Sequence, residues 1–179
     1  MQLVSMLFPH LARADSLREI TNGLVCCNGK IRHLGMVSPP KRSTLAYANE
    51  HRSPELYQRF FWVLMEHFRK MEMIGSVKKF RFKNKLLLFD STTISLCLSL
   101  FPWADYRRAK GGVKVHVLLD ASDYMPSFVN ITEARLHDSA MSKNLSLPSG
   151  SIIALDRGYL DFEMFDTWDK KNVVFVTRM

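Results

Sequence analysis

The feature that most constrains the fold is an apolar run from Leu86 to Leu100, LLLFDSTTISLCLSL, which contains a single carboxylate. Asp90 stands near its middle and is followed by a small polar cluster, Ser91 to Thr93. An ionised aspartate in an apolar interior is costly unless a partner compensates its charge. Either the buried part of this strand ends at Asp90 or Asp90 binds a cation, and we predict that it binds a metal ion.

Length, charge and cysteine content narrow the class of protein. A chain of 179 residues with 47% hydrophobic content can bury a substantial core. Its net charge of +8 favours a polyanionic partner, because neutralisation of phosphates drives nucleic-acid affinity, although a merely basic protein is the alternative. The three cysteines, Cys26, Cys27 and Cys97, lack the CxxC spacing of common zinc sites, which predicts reduced thiols in the core. Without a membrane span or a cleavable signal sequence, the chain is predicted to be cytoplasmic and to have no membrane partner.

Residues 1–75 have the periodicity of helices. Apolar residues at helical spacing predict helices over 2–12 and 53–73, and the second of these should bury one face. Ser16, followed three residues later by Glu19, predicts a capped helix, and Ser43 is the candidate cap of another. The sequence therefore predicts a small all-helical region that ends near residue 75.

Basic residues at the ends of these helices are candidate contacts to DNA. Lys41 and Arg42 precede the helix predicted from Ser43, where they could bind phosphates as a helix-turn-helix variant does. The alternative is a plain helical bundle that supports the second half of the chain.

Residues 76–179 read as strands and helices in alternation. Apolar and β-branched runs predict five strands, at 86–98, 113–119, 127–132, 151–155 and 173–177, and short helices at 133–143 and 160–170. Three strands followed by two helix–strand pairs form an α/β order. We expect the first three strands to be antiparallel and the later ones to be joined by crossovers in one mixed sheet.

A second candidate acid, Asp156, directly follows the apolar run SIIAL. This places it at the carboxyl edge of the sheet, where α/β folds bind ligands. If neighbouring parallel strands bring Asp90 and Asp156 together, the pair forms an oxygen-ligand site suited to Mg²⁺. Such sites serve phosphoryl transfer, in which two metals roughly 3.5 to 4 Å apart activate the attacking oxygen and stabilise the leaving one. A purely structural role for either aspartate is the alternative.

Motifs around both acids resemble those of one protein family. They are FDSTTISL, FPWADYRRAKGGVKVHVLLD, ITEARLHDS and LDRGYLDF, together with ADSLREI, IRHLG and RSTLAYANEHR upstream. With these motifs the chain resembles the DDE transposases of bacterial insertion sequences, whose catalytic domain is similar to ribonuclease H. The resemblance implies a partial ribonuclease-H-like sheet, with Asp90 and Asp156 as the first and second catalytic acids. It also implies Mg²⁺ or Mn²⁺ as cofactor and double-stranded DNA, at element ends and target, as partner, and a homodimer is compatible with it.

The same family has a third acid, a Glu in a helix with spaced Tyr, Arg, Glu and Lys. No such pattern precedes Met179, and Glu163 lies in a different motif. The resemblance thus predicts an insertion-sequence transposase, active in strand hydrolysis and strand transfer, of which this chain is an inactive fragment truncated at both ends. The alternatives are a non-catalytic DNA-binding remnant that inhibits the full-length transposase, and a stand-alone nuclease of the same superfamily.

Three further basic groups are candidate DNA contacts. The first group surrounds a turn predicted at Gly111 and Gly112 and consists of Arg107, Arg108, Lys110 and Lys114; its alternative is solvated hairpin charges. The second group interleaves with Phe80 and Phe82 and consists of Lys78, Lys79, Arg81, Lys83 and Lys85; its alternative is an edge strand protected by lysines. The third is Arg157 with Tyr159, next to Asp156, and its alternative is a structural turn. His116, which alternates with valines, is predicted to be a core or surface histidine rather than a ligand.

Overall fold

The computed structural model describes residues 1–27, 29–71, 81–96, 105–107, 110–136, 141 and 145–178, with the backbone alone at 105–107 and 110. The chain divides into two compact units, Met1–Leu64 and Met65–Met179. The boundary predicted near residue 75 lies outside the described residues and stays a prediction.

The first unit is helical. Its core is formed by Ile20, Leu24, Ile31, Met36 and Leu45. The elements are α1 (Gln2–Ala12), α2 (Leu17–Cys26), a 3-10 helix (Ile31–Leu34), α3 (Arg42–His51) and the first part of α4 (Glu55–Lys70). The helical nature predicted for this region is therefore confirmed for its described residues.

The capping predictions have opposite outcomes. Ser16 caps α2, since its hydroxyl accepts the Glu19 N–H at 3.2 Å, and the Glu19 carboxylate accepts the Asp15 N–H at 2.8 Å. Ser43 is not a cap, because α3 begins one residue earlier with Lys41 at the capping position. The capping box of α2 is a strictly local signal, and it was readable from the sequence.

Two burial predictions for the helices are wrong. No residue of α4 is fully buried, and Leu56 and Val63 on its apolar face are 47% and 65% exposed. Cys26 is exposed rather than part of the core, and Cys97 lies outside the described residues.

Within the described residues, no helix is both long enough and apolar enough to span a bilayer.

A mixed six-stranded sheet forms the centre of the second unit. The strands are β1 (Leu86–Leu96), β2 (Asp105–Arg107), β3 (Lys110–Asp120), β4 (Pro126–Glu133), β5 (Ile152–Leu155) and β6 (Val174–Val176). Their order is β2–β3–β1–β5–β6, and β4 also pairs with β3. The pairs β1/β3 and β3/β4 are antiparallel, whereas β1/β5 and β5/β6 are parallel. This confirms the predicted α/β fold with an antiparallel part followed by crossovers.

The sheet differs from the prediction in three places. Strand β2 was not predicted, and Glu133, assigned to a helix, ends β4 instead. Most of the predicted helix 133–143 lies outside the described residues. Gly111 and Gly112 do not form a turn but lie inside β3, where they pair with Leu96 and Ser95. A Cβ atom at Gly112 would stand 3.2 Å from the Ala134 Cβ, so close strand packing accounts for this glycine.

One face of the sheet carries the core of this unit. Leu87 and Phe89 of β1 and Ile153 and Leu155 of β5 are buried there, because side chains alternate between the two faces of a strand. Helix α5 (Phe162–Lys170) contributes Met164, Phe165 and Trp168 to the same core. The exposed part of β1 begins directly after Phe89, at Asp90.

Candidate metal centre

The register of three parallel strands places two acids and an arginine in one row. Leu88 of β1 pairs with Ala154 of β5, and Ala154 pairs with Val176 of β6. Two residues further along, beyond the carboxyl ends of β5 and β6 and within the longer β1, the chain reaches Asp90, Asp156 and Arg178 respectively. Because side chains alternate along a strand, residues two apart point to the same side. The row therefore lies on the side opposite the core residues Phe89 and Leu155.

All three side chains line one cleft. Its volume is about 580 Å³, and it is open to solvent. The lining consists of Asp90, Ala154, Leu155, Asp156, Val176, Thr177 and Arg178. The register and the cleft bring Asp90 and Asp156 together, as the sequence predicted, and their role as metal ligands stays a prediction.

Asp90 is exposed, not buried in an apolar environment. The buried part of the strand ends at this position, as one of the two explanations offered by the sequence requires, and metal binding by Asp90 stays a prediction. The Oδ1 atom of Asp90 accepts the backbone N–H of Ser91 at 2.8 Å. This contact orients the carboxylate, which lines the cleft.

Among the residues that the structure describes, more donors contact Asp156 than Asp90. It caps a 3-10 helix (Arg157–Tyr159), and its Oδ1 accepts the Arg157 N–H at 2.7 Å and the Arg178 Nε–H at 3.0 Å. Arg178 Nη2 lies 3.5 Å from the other oxygen, Oδ2. The Arg157 backbone hydrogen bond, followed by that from Arg178, lowers the pKa of the Asp156 carboxyl below its usual value. The carboxyl group is therefore ionised at neutral pH.

The donor set suits a hard divalent cation. Mg²⁺ prefers oxygen ligands and keeps several waters, so one or two carboxylates suffice to bind it when a substrate phosphate completes its shell. Asp90 and Asp156, on adjacent strands of one open cleft, fit this requirement. No group of three carboxylate, histidine or cysteine side chains placed to hold a metal occurs within the part of the chain that the structure describes.

Some of the predicted DNA contacts lie among the described residues, and others lie outside them. Arg81 and Lys83 are exposed in the segment before β1, while Lys85 forms an ion pair with Asp120 at 3.0 Å. Arg157 is exposed beside the acid pair. Lys41 and Arg42 are exposed at the start of α3 in the helical unit. Lys78, Lys79 and Arg108 lie outside the described residues, and only the backbone is described for Arg107 and Lys110, which face each other in the β2/β3 pairing.

Tyr159 and His116 lie near the acids, and both side chains are buried. Tyr159 is 2% exposed and contacts Phe89 with ring centroids 4.8 Å apart, so it packs in the core and does not contact a base. His116 is fully buried, and its Nε2 lies 3.0 Å from the Thr132 hydroxyl. The prediction that His116 is a structural histidine is consistent with this burial.

Arg178 is a member of the row that was not predicted from the sequence. The signal was present, because Arg178 follows the run VVFVT just as Asp156 follows SIIAL. Applying the same edge-of-sheet rule to the last strand would have placed a cation beside the two acids.

Comparison with known proteins assigns the sheet-containing half of the chain. Residues 81–179, more than half of the chain, match the family described as "Transposase DDE domain". The chain belongs to this family. The mixed sheet is consistent with a DDE domain. Members of this family typically use a divalent metal, and transposases bind DNA. Residues 1–37 match a domain of unknown function, DUF4372.

Two curated relatives carry transposase names. The chain is 30% identical over 102 residues to a probable transposase for insertion sequence element IS5377 from Geobacillus stearothermophilus. It is 28% identical over 140 residues to the putative transposase y4zB of Sinorhizobium fredii. These alignments cover 57% and 78% of this chain but 27% and 37% of the relatives. The aligned part of the chain therefore spans about a quarter to over a third of the length of those proteins.

Proposed function

We propose that residues 76–179 are part of the catalytic domain of an insertion-sequence transposase, with Asp90 and Asp156 as its first two catalytic acids. In this assignment the pair binds Mg²⁺ or Mn²⁺ for strand hydrolysis and strand transfer at element ends. The observation that carries the proposal is the position of both acids at the same level of neighbouring parallel strands, in one open cleft. Both acids also lie within the residues that match the DDE domain.

The protein groups around the acids prepare them for a cation. In each carboxylate, Oδ1 accepts the N–H of the following residue, at 2.8 Å for Asp90 and 2.7 Å for Asp156. Each bond limits the rotation of its carboxylate, and the bond to Asp156 also lowers the pKa of that acid. A divalent cation held there would activate an attacking oxygen and stabilise a leaving oxygen on phosphorus.

Double-stranded DNA is the proposed partner, and residues 1–75 are the proposed helical region that contacts it. The net charge of +8 supplies long-range attraction to phosphates. Exposed cations are available in both units: Lys41 and Arg42 at the start of α3, Arg81 before β1, and Arg157 beside the acids. From the sequence alone, we also propose DNA contacts for five further basic residues: Lys78, Lys79, Arg107, Arg108 and Lys110. Assembly as a homodimer is part of the same proposal.

A specific observation favours a non-catalytic role for this chain by itself. The described residues bring two acids into the cleft, and they contain no group of three metal ligands. Two carboxylates define the coordination of a metal less completely than three do. The second candidate function is accordingly binding of metal and DNA without strand cleavage, as in a remnant that occupies element ends.

The experiment combines a binding and a cleavage readout on the same DNA. The 179-residue chain is incubated with a duplex that carries the terminal inverted repeat flanking its gene, with Mg²⁺, and analysed on native and denaturing gels. We expect a shifted complex without cleavage, and unchanged binding in Asp90→Ala and in the control Asp169→Ala, an exposed acid on α5.

The other outcomes separate the readings. Mg²⁺-dependent cleavage that is lost in Asp90→Ala and Asp156→Ala, but kept in Asp169→Ala, would show an active nuclease or transposase and exclude the remnant. Cleavage that survives both Asp90→Ala and Asp156→Ala would contradict the assignment of the acids. Absence of any complex would contradict DNA as the partner.

A further inference from the structure

A protein cation already occupies part of the acid site. Arg178 follows β6 by two residues, and its guanidinium group reaches across to Asp156 on the neighbouring strand. Its Nε donates to Asp156 Oδ1 at 3.0 Å, and its Nη2 lies 3.5 Å from Oδ2. Both oxygens of this carboxylate therefore face the same positive charge.

The two carboxylates of the row are not equivalent in this respect. Each gives Oδ1 to the backbone N–H of the next residue, but the arginine contact exists on the Asp156 side. A divalent cation coordinated by Asp156 Oδ2 would stand close to the guanidinium group, and two positive charges at short range repel each other. Arg178 must move away from Asp156, or the cation binds more weakly.

The cost of moving Arg178 is small. Its side chain is 75% exposed and that of Asp156 is 46% exposed, and ion pairs of this kind add little stability because water solvates the separated charges. The arginine is therefore a weak competitor that lowers affinity by a modest factor rather than closing the site.

We propose that Arg178 is an internal counter-cation of the acid pair, which competes with the divalent metal for Asp156 and keeps the metal-free site closer to charge balance. The proposal rests on the metal site of the proposed function. It assigns to Arg178 an effect on metal affinity whose sign is defined: loss of its positive charge tightens metal binding.

A positioning role has the opposite sign. Carboxylates that bind metals are commonly oriented by outer hydrogen bonds, and removing such a partner weakens the metal. If Arg178 served to orient Asp156 for the metal, a neutral residue there would lower affinity. The direction of the change thus distinguishes competition from positioning.

The test measures Mn²⁺ binding, through the electron paramagnetic resonance signal of free Mn²⁺, for four forms of the full chain. These are the natural chain, Arg178→Gln, Arg178→Lys and Lys170→Gln. Lys170 is a matched control, because it forms an exposed ion pair with Asp166 on α5 and does not line the cleft. Circular dichroism spectra check that every variant retains the fold.

We expect Arg178→Gln to bind Mn²⁺ roughly two- to fivefold more tightly than the natural chain, the factor that corresponds to an exposed ion pair. Arg178→Lys and Lys170→Gln should stay near the affinity of the natural chain. Binding in Arg178→Gln with none detectable in the natural chain would also support the proposal.

Unchanged or weaker Mn²⁺ binding in Arg178→Gln would overturn the competition while leaving the metal site of the proposed function intact. An equal gain in Lys170→Gln would overturn it as well, because the effect would then be one of net charge. Absence of Mn²⁺ binding in all four forms would refute both the inference and the metal site on which it rests.

Discussion

The ion pair between Lys85 and Asp120 should stabilise the sheet at the end opposite the acids. Asp120 ends β3 and pairs with Leu87, and its side chain is 17% exposed. One of its oxygens accepts the N–H and the hydroxyl of Ser122 at 2.9 and 2.7 Å, and the other lies 3.0 Å from Lys85 Nζ. Asparagine in its place keeps an acceptor for Ser122 but loses the charge that attracts Lys85.

The magnitude follows from these contacts. Hydrogen bonds to a charged group contribute about 1.5–3 kcal/mol, but Lys85 is 47% exposed, and solvent screens its share. We therefore expect Asp120→Asn to lower the free energy of unfolding by about 1–2 kcal/mol at pH 7. The exposed control Asp169→Asn should change it by less than about 0.5 kcal/mol.

The pH dependence gives a second check. Burial raises the pKa of Asp120, but the Ser122 and Lys85 contacts outweigh burial, and the folded-state pKa is lowered. A carboxyl with a lowered folded-state pKa contributes its stability above the unfolded pKa, about 3.9, and loses it as the pH falls through the folded value.

Urea unfolding followed by circular dichroism between pH 3 and pH 8 measures both effects. The difference between the natural chain and Asp120→Asn should be constant above about pH 5 and shrink below about pH 4. A difference that is absent at pH 7, or that persists unchanged at the lowest pH, would refute the reasoning.

Three other predictions address the core, a helix cap and DNA contact. Ile153→Ala, at a fully buried position in β5, should lower the free energy of unfolding by about 2–5 kcal/mol in a urea titration, because it leaves a cavity. Ser16→Ala should cost about 1 kcal/mol and reduce helical circular dichroism, while Ser43→Ala, inside α3, should change both far less. Replacing Lys41 and Arg42 together with Ala should weaken DNA binding and reduce the slope of log affinity against log salt by nearly 2, and an unchanged slope would exclude phosphate contacts there.

The positions of Asp90 and Asp156 in the sheet were predictable because the signals for them are local. Asp90 and Asp156 each mark the point where an apolar strand stops being buried, and that change is visible in a single line of sequence. Their adjacency followed from the expectation of parallel neighbours, which the register of Phe89 with Leu155 bears out. The family resemblance agreed with this placement, and the match over residues 81–179 confirms the family.

Features that depend on contacts between distant segments were not predictable. A glycine pair favours a turn when it is read locally, but Gly112 lies in β3 because Ala134 and Ile94 pack against its backbone. Arg178 belongs to the site only because β6 pairs with β5, a choice of neighbour that the sequence of β6 does not encode by itself. The exposed face of α4 is a similar case, since amphipathic spacing predicts an apolar face without showing what covers it.

The central claim is that Asp90 and Asp156 form one cation site at the carboxyl edge of the sheet. The most direct test is a Mn²⁺ titration, followed by electron paramagnetic resonance, of the natural chain, Asp90→Asn, Asp156→Asn and the double variant, with Asp169→Asn as the control. The account predicts that each single substitution removes most of the affinity, that the double variant loses little more, and that Asp169→Asn binds like the natural chain. Full affinity in either single variant, or losses that simply add in the double variant, would contradict a shared site.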